Sequence, residues 1–457
     1  MSLFFGGAYP VDVIARIVWW QFGDSMIVGW LPLCRLAGDP HLDSLVSGLH
    51  ARTVGNDVEL LIAGGGLTGL LLGVACAGAG LEVAIVDRQE PAVLLGEEFD
   101  GRSSAIAYGS RNVLDAIGLW STVAAEAEPI LEIRVADENS PLNLHYDHRE
   151  LEASTPLGYI VENRVLRGGL IERARSIPNL YFMAPLAVDS VSSSPVATTA
   201  RLSDGKLIRA RLVAAADGQK SRLRNAAGIR TIAWRYPQTS IVTTVRHERP
   251  HRGIAVEHFL SAGPFAILPM TGNRSSIVWT ERAELASRLV ALPNAAFTAE
   301  LAARFGAFLG AIEPIGPRWT YPLALLVAED YVASRLALIG EAAHMIHPIA
   351  GQGLNLGIRD VAVLAELVID ARRLGLDIGD EPVLQRYQRW RRFDVLALAA
   401  VTDGLNRLFS NSVSSFQFAR GVGLAAVNHI PPLRRLLMRD AMGMTGDLPR
   451  LVRGEAL

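Results

Sequence analysis

A glycine-rich turn carries the clearest chemistry in this sequence. Residues 64–69 read Gly-Gly-Gly-Leu-Thr-Gly and match G-x-G-x-x-G, a pattern that lets the backbone approach a pyrophosphate closely. The free amides and the positive dipole end of the helix that follows would then meet the phosphate charge. Asp87 comes about 20 residues later, where a carboxylate can bind the hydroxyls of a ribose. The spacing predicts a dinucleotide site with contacts at Gly64, Gly66, Leu67, Thr68, Gly69 and Asp87.

The segments around this turn indicate how it is held. An apolar run over residues 58–63 is too short for a helix and reads as a buried strand, and residues 82–86 read as a second strand. Residues 70–80 form a helical pattern that is apolar on nearly every side, as in a helix packed between a sheet and other elements. Strand, turn, helix and strand in this order are typical of a Rossmann-type unit. A glycine turn that binds no ligand is the alternative.

Two other apolar strands end at a glycine beside a carboxylate. Residues 208–216 run into Asp217 and Gly218, and residues 335–339 run into Gly340 and Glu341. Ligands bind at the carboxyl ends of strands in open α/β sheets, so these corners read as cofactor contacts rather than as a catalytic pair of carboxylates. No second G-x-G-x-x-G occurs in the sequence, which predicts one resident dinucleotide and a nicotinamide cofactor that only visits.

The third corner leads into a proline loop and a long apolar helix. Residues 347–355 read His-Pro-Ile-Ala-Gly-Gln-Gly-Leu-Asn, and the helix is predicted from residue 354 to about 371. Pro348 would fix the loop, and the amides of the helix start would face developing negative charge on a bound ring. His344 and His347 lie three residues apart without a third clear ligand nearby, so we expect structural roles for them and predict no metal site.

Length and composition limit the class of protein. A chain of 457 residues allows two or three domains, and its net charge of -2 gives no support for nucleic-acid binding. Mean hydropathy is high at +0.25, yet charges or glycines interrupt the long apolar runs before they could cross a bilayer. The two cysteines, Cys34 and Cys76, offer no disulfide framework, which predicts a cytoplasmic location and a buried structural thiol at Cys76.

The remaining segments predict a second layer and a helical tail. Residues 232–278 are mostly extended runs, as in an antiparallel sheet. The chain beyond residue 382 reads as helical, with apolar faces over residues 405–418 and 433–438. Residues 1–55 carry three of the eight tryptophans and precede the first strand, so we expect an extension outside the core fold.

Taken together, the three corners resemble those of the group A flavoprotein monooxygenases, the single-component aromatic hydroxylases. The stretches at 99–102, 162–166 and 347–357 are similar to the ubiquinone-biosynthesis hydroxylases within that group, and His-Pro-Ile-Ala-Gly-Gln-Gly-Leu-Asn-Leu-Gly is the strongest signal. The resemblance covers roughly residues 56–453. That family has Asp where this chain has Glu341, which keeps the charge and adds one methylene.

The resemblance implies an α/β fold with three parts. An FAD-binding Rossmann-type domain of the glutathione reductase-like kind would contain an interleaved antiparallel-sheet substrate domain and be followed by a C-terminal helical region. The implied boundaries are 56–135, 155–230 and 330–375 for the FAD-binding domain, 136–154 and 231–329 for the substrate domain, and 376–457 for the helical region.

The resemblance also implies the site. FAD would be bound and NAD(P)H would be a transient co-substrate. Besides the glycine turn, the implied FAD contacts are Arg102, Asn163, Arg164, Asp217, Gly340, Glu341, Pro348, Gly351, Gly353, Leu354 and Asn355. An ion pair with Glu162 is the alternative role for Arg164. No catalytic acid or base is identified, and His258, Tyr236 and Pro269 could line an aromatic pocket or simply pack in the core.

The implied function is hydroxylation of a ring carbon of a polyprenylated phenol in ubiquinone biosynthesis. The resemblance implies O2 as co-substrate, a flavin reduced by NAD(P)H, and C4a-hydroperoxyflavin as the oxygen donor. A hydroxylase of a soluble aromatic acid, a flavin-binding scaffold of a quinone-synthesis complex, and a flavin reductase or oxidase are the alternatives.

Because a polyprenyl phenol lies in the bilayer, peripheral contact with the inner membrane face is a further expectation. The apolar C-terminal faces near Arg434, Arg435 and Arg439 could rest on an anionic membrane surface. Core packing or a homodimer contact would explain the same pattern.

Overall fold

The computed structural model describes residues 18–22, 25–29, 57–96, 101–137, 143–151, 153–409 and 427–457. The chain divides into two compact units, Met1–Leu45 and Val46–Leu457. In the first unit, β1 (Val18–Phe22) and β2 (Ser25–Gly29) form an antiparallel hairpin. Cys34, residues 99–100 of one resemblance motif and residues 410–418 of the predicted apolar face lie outside the described residues. All further description concerns the second unit.

A largely parallel sheet forms the centre of this unit. Its parallel strands lie in the order β10 (Leu180–Met183), β4 (Val83–Val86), β3 (Asp57–Ala63), β13 (Leu207–Ala215) and β20 (Leu336–Leu338). The hairpin of β11 (Val188–Ser193) and β12 (Thr198–Leu202) pairs with the first half of β13, and the short β19 (Val332–Ala333) pairs with β20. The parallel strands are continuous apolar runs because helices cover the sheet and bury them.

Long apolar helices cover this sheet. The predicted helix after the glycine turn is α1 (Leu67–Gly78), and it packs against α5 (Asn163–Ser176) and α9 (Gly353–Arg373), while α9 also packs against α10 (Glu381–Phe409). Cys76 is fully buried in α1, and burial raises the pKa of its thiol to about 12, as expected of a structural cysteine. The strand, turn, helix and strand predicted around the glycines are all present.

The second large sheet is antiparallel along most of its length, as predicted from the extended runs. Its order is β21 (His344–Met345), β18 (Ile312–Ala328), β14 (Thr231–His247), β17 (Arg274–Arg282), β16 (Gly263–Met270), β15 (Ile254–Leu260), β7 (Glu132–Asp137) and β8 (Asn143–Asp147). Only the β15–β7 pair is parallel among these described strands. Because β7 begins at Glu132, the chain enters this sheet four residues before the predicted boundary at 136.

The two faces of the second sheet have different neighbours. One face packs on α7 (Ala283–Val290) and α8 (Asn294–Phe305) around the buried Trp279 and Phe297. The other face turns toward Ile349 in the proline loop and Phe409 at the end of α10. The second face therefore meets the loop that the sequence assigns to the cofactor.

A small third sheet and several short helices complete the unit. The sheet consists of β5 (Ser103–Ala107), β9 (Gly158–Glu162) and β6 (Glu128–Ile130), all antiparallel. The remaining described α-helices are α2 (Pro91–Leu94), α3 (Tyr108–Ala116), α4 (Trp120–Val123), α6 (Arg222–Ala226) and α11 (Pro431–Ala441). Among the described helices, none combines the length and the apolar character that crossing a bilayer requires.

Candidate cofactor site

The three corners that the sequence singled out lie side by side at one edge of the parallel sheet. In the strand register, Ala215 pairs with Ala63 on one side and with Leu338 on the other. The backbone continues this pairing beyond the strand ends, since the Ala216 amide donates to Ala63 O at 2.8 Å and the Ile339 amide donates to Ala215 O at 3.0 Å. The turns that follow β3, β13 and β20 are therefore neighbours.

Glycines allow the first two corners to touch. Gly64 has φ of +112°, and a β-carbon there would lie 2.2 Å from the carbonyl oxygen of Ala216. A β-carbon on Gly69 would lie 1.9 Å from the carbonyl oxygen of Gly64. Any side chain at either position would collide with backbone, so the glycines fix how closely the turn and α1 approach the end of β13.

The third corner closes against the start of α1. Gly340 has φ of +56°, and a β-carbon there would lie 2.9 Å from Thr68 Oγ1. Gly357 on α9 approaches the same side chain, with a corresponding distance of 3.1 Å. Thr68 thus packs between the third corner and α9.

Two glycines of the site face open space instead. Gly66 and Gly353 would each place a β-carbon where no heavy atom lies within 4 Å. Gly66 immediately precedes α1, and Gly353 is the first residue of α9. Amides in the first turn of a helix have no acceptor within the helix, so both starts offer N–H donors to an anionic or electron-rich group. Both helix starts are therefore accessible to a ligand, and contact of Gly66 with a pyrophosphate stays a prediction.

Asp87 stands at the end of β4 and holds the glycine turn. Its Oδ2 accepts a hydrogen bond from the Gly65 amide at 2.6 Å, and its Oδ1 accepts one from the Gln89 amide at 2.7 Å. Each carboxylate oxygen has further acceptor capacity. Contact between Asp87 and a ribose stays a prediction, and the structure adds a role for the same carboxylate in ordering the turn.

The second corner offers a buried acceptor. Asp217 Oδ2 accepts from the Arg222 amide at 2.8 Å, whereas its Oδ1 is buried and has no hydrogen-bond partner among the described residues. A buried carboxylate oxygen without a donor carries a free-energy cost, so its presence fits a site completed by a ligand hydroxyl or amide.

Arg224 ties the second corner to the third. The side chain is 4% exposed, and its guanidinium donates to Ala342 O at 3.0 Å and to Gln219 O at 2.9 Å. Burial lowers the pKa of Arg224, and the nearby charge of Asp217 opposes that shift. The contact of Arg224 with a carbonyl 118 positions away could not be predicted from local sequence patterns.

A buried carboxylate on α9 supports the third corner. Asp360 on α9 is 0% exposed, and its Oδ2 accepts from the Gly340 amide at 2.9 Å and lies 2.6 Å from His344 Nε2. Its Oδ1 accepts from Arg391 Nε at 2.8 Å. Burial raises the pKa of Asp360, but the charges and hydrogen bonds of His344 and Arg391 outweigh it and hold that pKa below its usual value. Glu341, next to Gly340, is exposed.

The proline loop is clamped from inside by Asn355. Its Oδ1 accepts from the Ala107 amide at 2.9 Å, and its Nδ2 donates to Ala105 O at 2.8 Å and Gly351 O at 3.2 Å. The Gly351 amide in turn donates to Pro348 O at 3.0 Å, with Gly351 at φ of +62°. The side chain of Asn355 is thus occupied, and the group that it leaves for a cofactor is its backbone amide. The neighbouring Leu354 packs partly buried against the core.

The start of α5 lies beside the same loop through β5. The Asn163 amide donates to Arg102 O at 3.0 Å, and Asn163 Oδ1 accepts from Ser104 Oγ at 2.6 Å. The exposed guanidinium of Arg102 lies 5.0 Å from the ring centroid of Tyr321. Contacts of Arg102 and Asn163 with FAD stay predictions.

Arg164 makes the ion pair that the sequence offered as its alternative role. Its Nε lies 2.6 Å from Glu162 Oε2, and Glu162 Oε1 also lies 3.2 Å from Arg274 Nη1. The two arginines lower the pKa of Glu162 despite its burial. An FAD contact by Arg164 stays a prediction and would have to be made alongside this pair.

One group of side chains that could bind a metal ion occurs among the described residues, away from the three corners. Glu132, His145 and Asp147 on β7 and β8 bring potential ligand atoms within 4.8 Å of one another. Arg134 lies 2.8 Å from the first carboxylate and Arg149 lies 2.5 Å from the second. Two guanidinium groups therefore already neutralise the charge that would attract a cation.

His347 is buried in an apolar setting just before the proline. The residue is 0% exposed, its ring lies 5.1 Å from that of Tyr236, and neither ring nitrogen has a partner among the described residues. Tyr236 Oη donates to Asp403 Oδ1 at 2.8 Å. Burial lowers the pKa of His347 to about 4, and the charge of Asp403 only partly opposes this. His347 is therefore neutral at pH 7.

We expect His347 to make the protein less stable in mild acid. The unfolded chain binds a proton at this histidine near pH 6.5, but the folded protein binds it only near pH 4, so protons favour unfolding within that window. The free energy of unfolding should fall by about 2–3 kcal/mol between pH 7.5 and pH 4.5 from this group alone. Urea titrations at the two pH values should show a smaller fall for His347→Phe. His429→Phe, at an exposed histidine, is the control. An equal fall of the free energy of unfolding with pH in the two variants would contradict the expectation.

The chain is similar to a protein family and to individual known proteins. A family model described as FAD binding domain matches residues 57–393. The chain is 49% identical over 431 residues to the ubiquinone hydroxylase UbiL of Rhodospirillum rubrum, covering 93% of this chain and 99% of that protein. It is 33% identical over 388 residues to the 3-demethoxyubiquinol 3-hydroxylase of Escherichia coli, covering 84% of this chain and 98% of that protein.

A solved structure shares the fold. The p-nitrophenol 4-monooxygenase PnpA of Pseudomonas putida DLL-E4 superposes with a TM-score of 0.71 at 20% sequence identity, covering 86% of this chain and 99% of that chain. At this identity the likeness concerns the fold alone.

Proposed function

We propose that this chain, which belongs to the FAD binding domain family and is an FAD-dependent monooxygenase, hydroxylates a ring carbon of a polyprenylated phenol on the route to ubiquinone. The comparisons confirm the predicted α/β flavoprotein fold, FAD as its cofactor and the relation to the ubiquinone hydroxylases. The substrate, the visiting NAD(P)H and the individual site residues are parts of the proposal.

One observation carries the assignment of the site. The three corners converge at the carboxyl edge of the parallel sheet, packed together behind by Gly64, Gly69 and Gly340 and open in front at Gly66 and Gly353. Similarity to a ubiquinone hydroxylase over 99% of that protein's length then supports a quinone precursor as the substrate.

The residues of this chain bind and orient FAD. The amides at Gly66 and at the start of α1 would hold the pyrophosphate, and Glu341 would accept hydrogen bonds from hydroxyls of the cofactor. The first amides of α9 would lie against the electron-rich edge of the ring, where a helix start stabilises negative charge. Bound FAD supplies the redox and oxygen-transfer chemistry, with electrons from NAD(P)H and oxygen from O2.

The side of the second sheet that meets the proline loop favours an uncharged aromatic substrate. Phe259 stacks on Phe409 with ring centroids 3.9 Å apart, in one buried cluster with Ile349. This apolar, stacked aromatic surface favours a prenylated phenol over a soluble aromatic acid, because burying a carboxylate there would cost free energy.

Turnover by the purified yellow protein tests the proposal. With NADPH and a prenylated phenol in detergent, we expect bleaching of the flavin absorbance, oxygen uptake and a product that has gained one oxygen atom. Absence of both bleaching and uptake would favour a non-catalytic scaffold. Uptake that yields only peroxide would favour an oxidase, and preferential hydroxylation of an aromatic acid would favour the soluble substrate.

Glu341→Ala should weaken FAD binding by about 1.5–3 kcal/mol, because charged hydrogen bonds to the cofactor are lost. Fluorescence titration of the apoprotein with FAD measures this, and Glu341→Asp should keep most of the affinity. Glu284→Ala removes an exposed carboxylate from α7, on the far face of the second sheet, and serves as the control. An unchanged dissociation constant for Glu341→Ala would remove Glu341 from the site.

The location of the protein belongs to the same proposal. A polyprenylated substrate lies in the bilayer, so the proposal includes peripheral contact with the inner membrane face, either directly or within a quinone-biosynthesis complex. On α11, Leu433 and Leu436 are exposed beside Arg435 and Arg439, in keeping with the predicted apolar face. A homodimer contact is the alternative use of such a face.

A further inference from the structure

The outward side of α10 is apolar over about three turns. Between residues 393 and 404 every exposed residue is apolar or glycine, and these are Phe393, Leu396, Ala397, Ala400, Val401 and Gly404. Phe393 is 77% exposed and Val401 54%. Their spacing places them on one side of the helix, opposite the side where Val395, Ala399 and Thr402 are buried. A helix on the surface of a globular protein normally carries charged or polar residues on its solvent side.

Trp234 on β14 extends this apolar surface. The hydrogen bond between Tyr236 and Asp403 holds β14 against α10, and the guanidinium of Arg407 lies 5.6 Å from the ring centroid of Trp234. Trp234 is itself 36% exposed. Tryptophan and arginine side chains both favour the boundary between hydrocarbon and lipid headgroups, because each combines an apolar part with a polar end.

Arginines border the apolar surface at both ends. Exposed Arg386, Arg389 and Arg392 precede it along α10, and exposed Arg407 follows it.

The acidic residues of the same stretch are engaged in pairs. Asp394 Oδ2 lies 3.0 Å from Arg391 Nη1, and Asp403 Oδ2 lies 2.8 Å from Arg407 Nε. The border formed by Arg386, Arg389 and Arg392 is therefore cationic, whereas the charge of Arg407 is balanced by Asp403.

We infer that the outward face of α10, with Trp234, docks on the surface of an anionic lipid bilayer. The helix lies parallel to the membrane plane, with Phe393 and Leu396 in the hydrocarbon boundary and the arginines at the phosphates. Packing against a second copy of the chain would bring like charges together, whereas anionic lipid complements them. The inference rests on the proposed function, because a polyprenylated substrate is what gives the enzyme reason to meet a bilayer.

Vesicle flotation of the full-length FAD-loaded protein tests the inference. We expect it to float with phosphatidylcholine vesicles that contain phosphatidylglycerol, and much less with pure phosphatidylcholine or at high salt. Phe393→Ser with Leu396→Ser should lower the partition coefficient by more than about 10-fold. Arg389→Gln with Arg392→Gln should lower it by roughly 5-fold per arginine on the anionic vesicles.

The matched control removes exposed leucines elsewhere. Leu374→Ser with Leu376→Ser changes side chains that are 74% and 53% exposed just beyond the end of α9, and we expect normal flotation. Equal loss in this pair, or no flotation of the unmodified protein with anionic vesicles, would overturn the inference. A change of oligomeric state in the Phe393 and Leu396 variant without lipid, measured by light scattering, would overturn it in favour of a contact between copies.

A second readout separates this inference from the proposed function. The α10 variants should keep their FAD content and their NADPH-driven turnover of a short-chain phenol in detergent. If the unmodified protein floats but does not turn over, the proposed function fails while docking stands. If it turns over in detergent but does not float, docking fails alone.

Discussion

Gly66→Val is expected to yield a folded but colourless protein. Gly66 precedes α1, and a β-carbon at this position would have no heavy atom within 4 Å, so the valine side chain meets nothing in the protein itself. It would instead occupy the space in which a pyrophosphate approaches the backbone. We therefore expect normal thermal unfolding of the apoprotein, a far-ultraviolet circular dichroism spectrum like that of the unmodified protein, and no flavin absorbance after purification.

Two glycines within α1 make this prediction specific. Gly78→Val places the same side chain at the far end of α1, where a β-carbon also meets no heavy atom within 4 Å, and this variant should remain yellow. Gly69→Val should fail to fold, because its β-carbon would lie 1.9 Å from the Gly64 carbonyl oxygen. A yellow Gly66→Val protein with the FAD affinity of the unmodified protein would remove the glycine turn from the cofactor site.

Local sequence patterns are sufficient to predict the elements that carry the first corner. The apolar run that ends at Gly64 and the periodicity that follows it depend on neighbouring residues only, and the structure contains β3, α1 and β4 in the predicted places. The ends of α1 differ by a few residues, because the helix begins at Leu67, within the glycine motif itself. The Asp-Gly turn at residues 204–205, which joins the antiparallel strands β12 and β13, is another local signal of this kind.

Contacts between distant segments cannot be predicted in this way. The sequence predicts Asn355 at the helix start facing the cofactor, but its side chain bonds to Ala105 and Ala107, about 250 positions earlier in the chain. Asp360 carries no signal beyond its charge on an apolar helix, although that charge on the buried side of α9 could have indicated a buried ion pair. Such pairings depend on topology, and a single sequence does not specify which segments meet.

The same contacts explain why the corners keep a common geometry. Arg224 connects the second corner to the carbonyl of Ala342 in the third, and Asp360 connects the third corner to α10 through Arg391. Gly340 packs closely on Thr68 of the first. Each corner is therefore fixed by a residue from another element, and a change in one should alter cofactor affinity as well as stability.

Asp360→Ala is expected to destabilise the protein by about 3–5 kcal/mol, because it leaves a fully buried guanidinium without its main partner. Arg391 is 0% exposed, and its Nε bonds to Asp360. Without Asp360, the remaining side-chain contact of Arg391 among the described residues is that of Nη1 with the half-buried Asp394. Replacing both residues, as in Asp360→Leu with Arg391→Met, removes the orphaned charge and should recover part of the loss. Urea unfolding of the single and double variants measures both effects.

Asp360 should influence both the pH dependence of stability and the affinity for FAD. The pKa of Asp360 in the folded protein lies below its value in the unfolded chain. Its contribution to the free energy of unfolding is therefore complete above about pH 4 and is lost as the pH falls through the folded pKa.

Asp360→Ala should also weaken FAD binding, because the Gly340 amide loses its acceptor and the third corner loosens. This effect does not require contact between Asp360 and the cofactor. Asp115→Ala removes a 53% exposed partner of Arg111 and should cost less than about 1 kcal/mol. If Asp360→Ala were as mild as that control, the buried carboxylate would not be what holds the third corner in place.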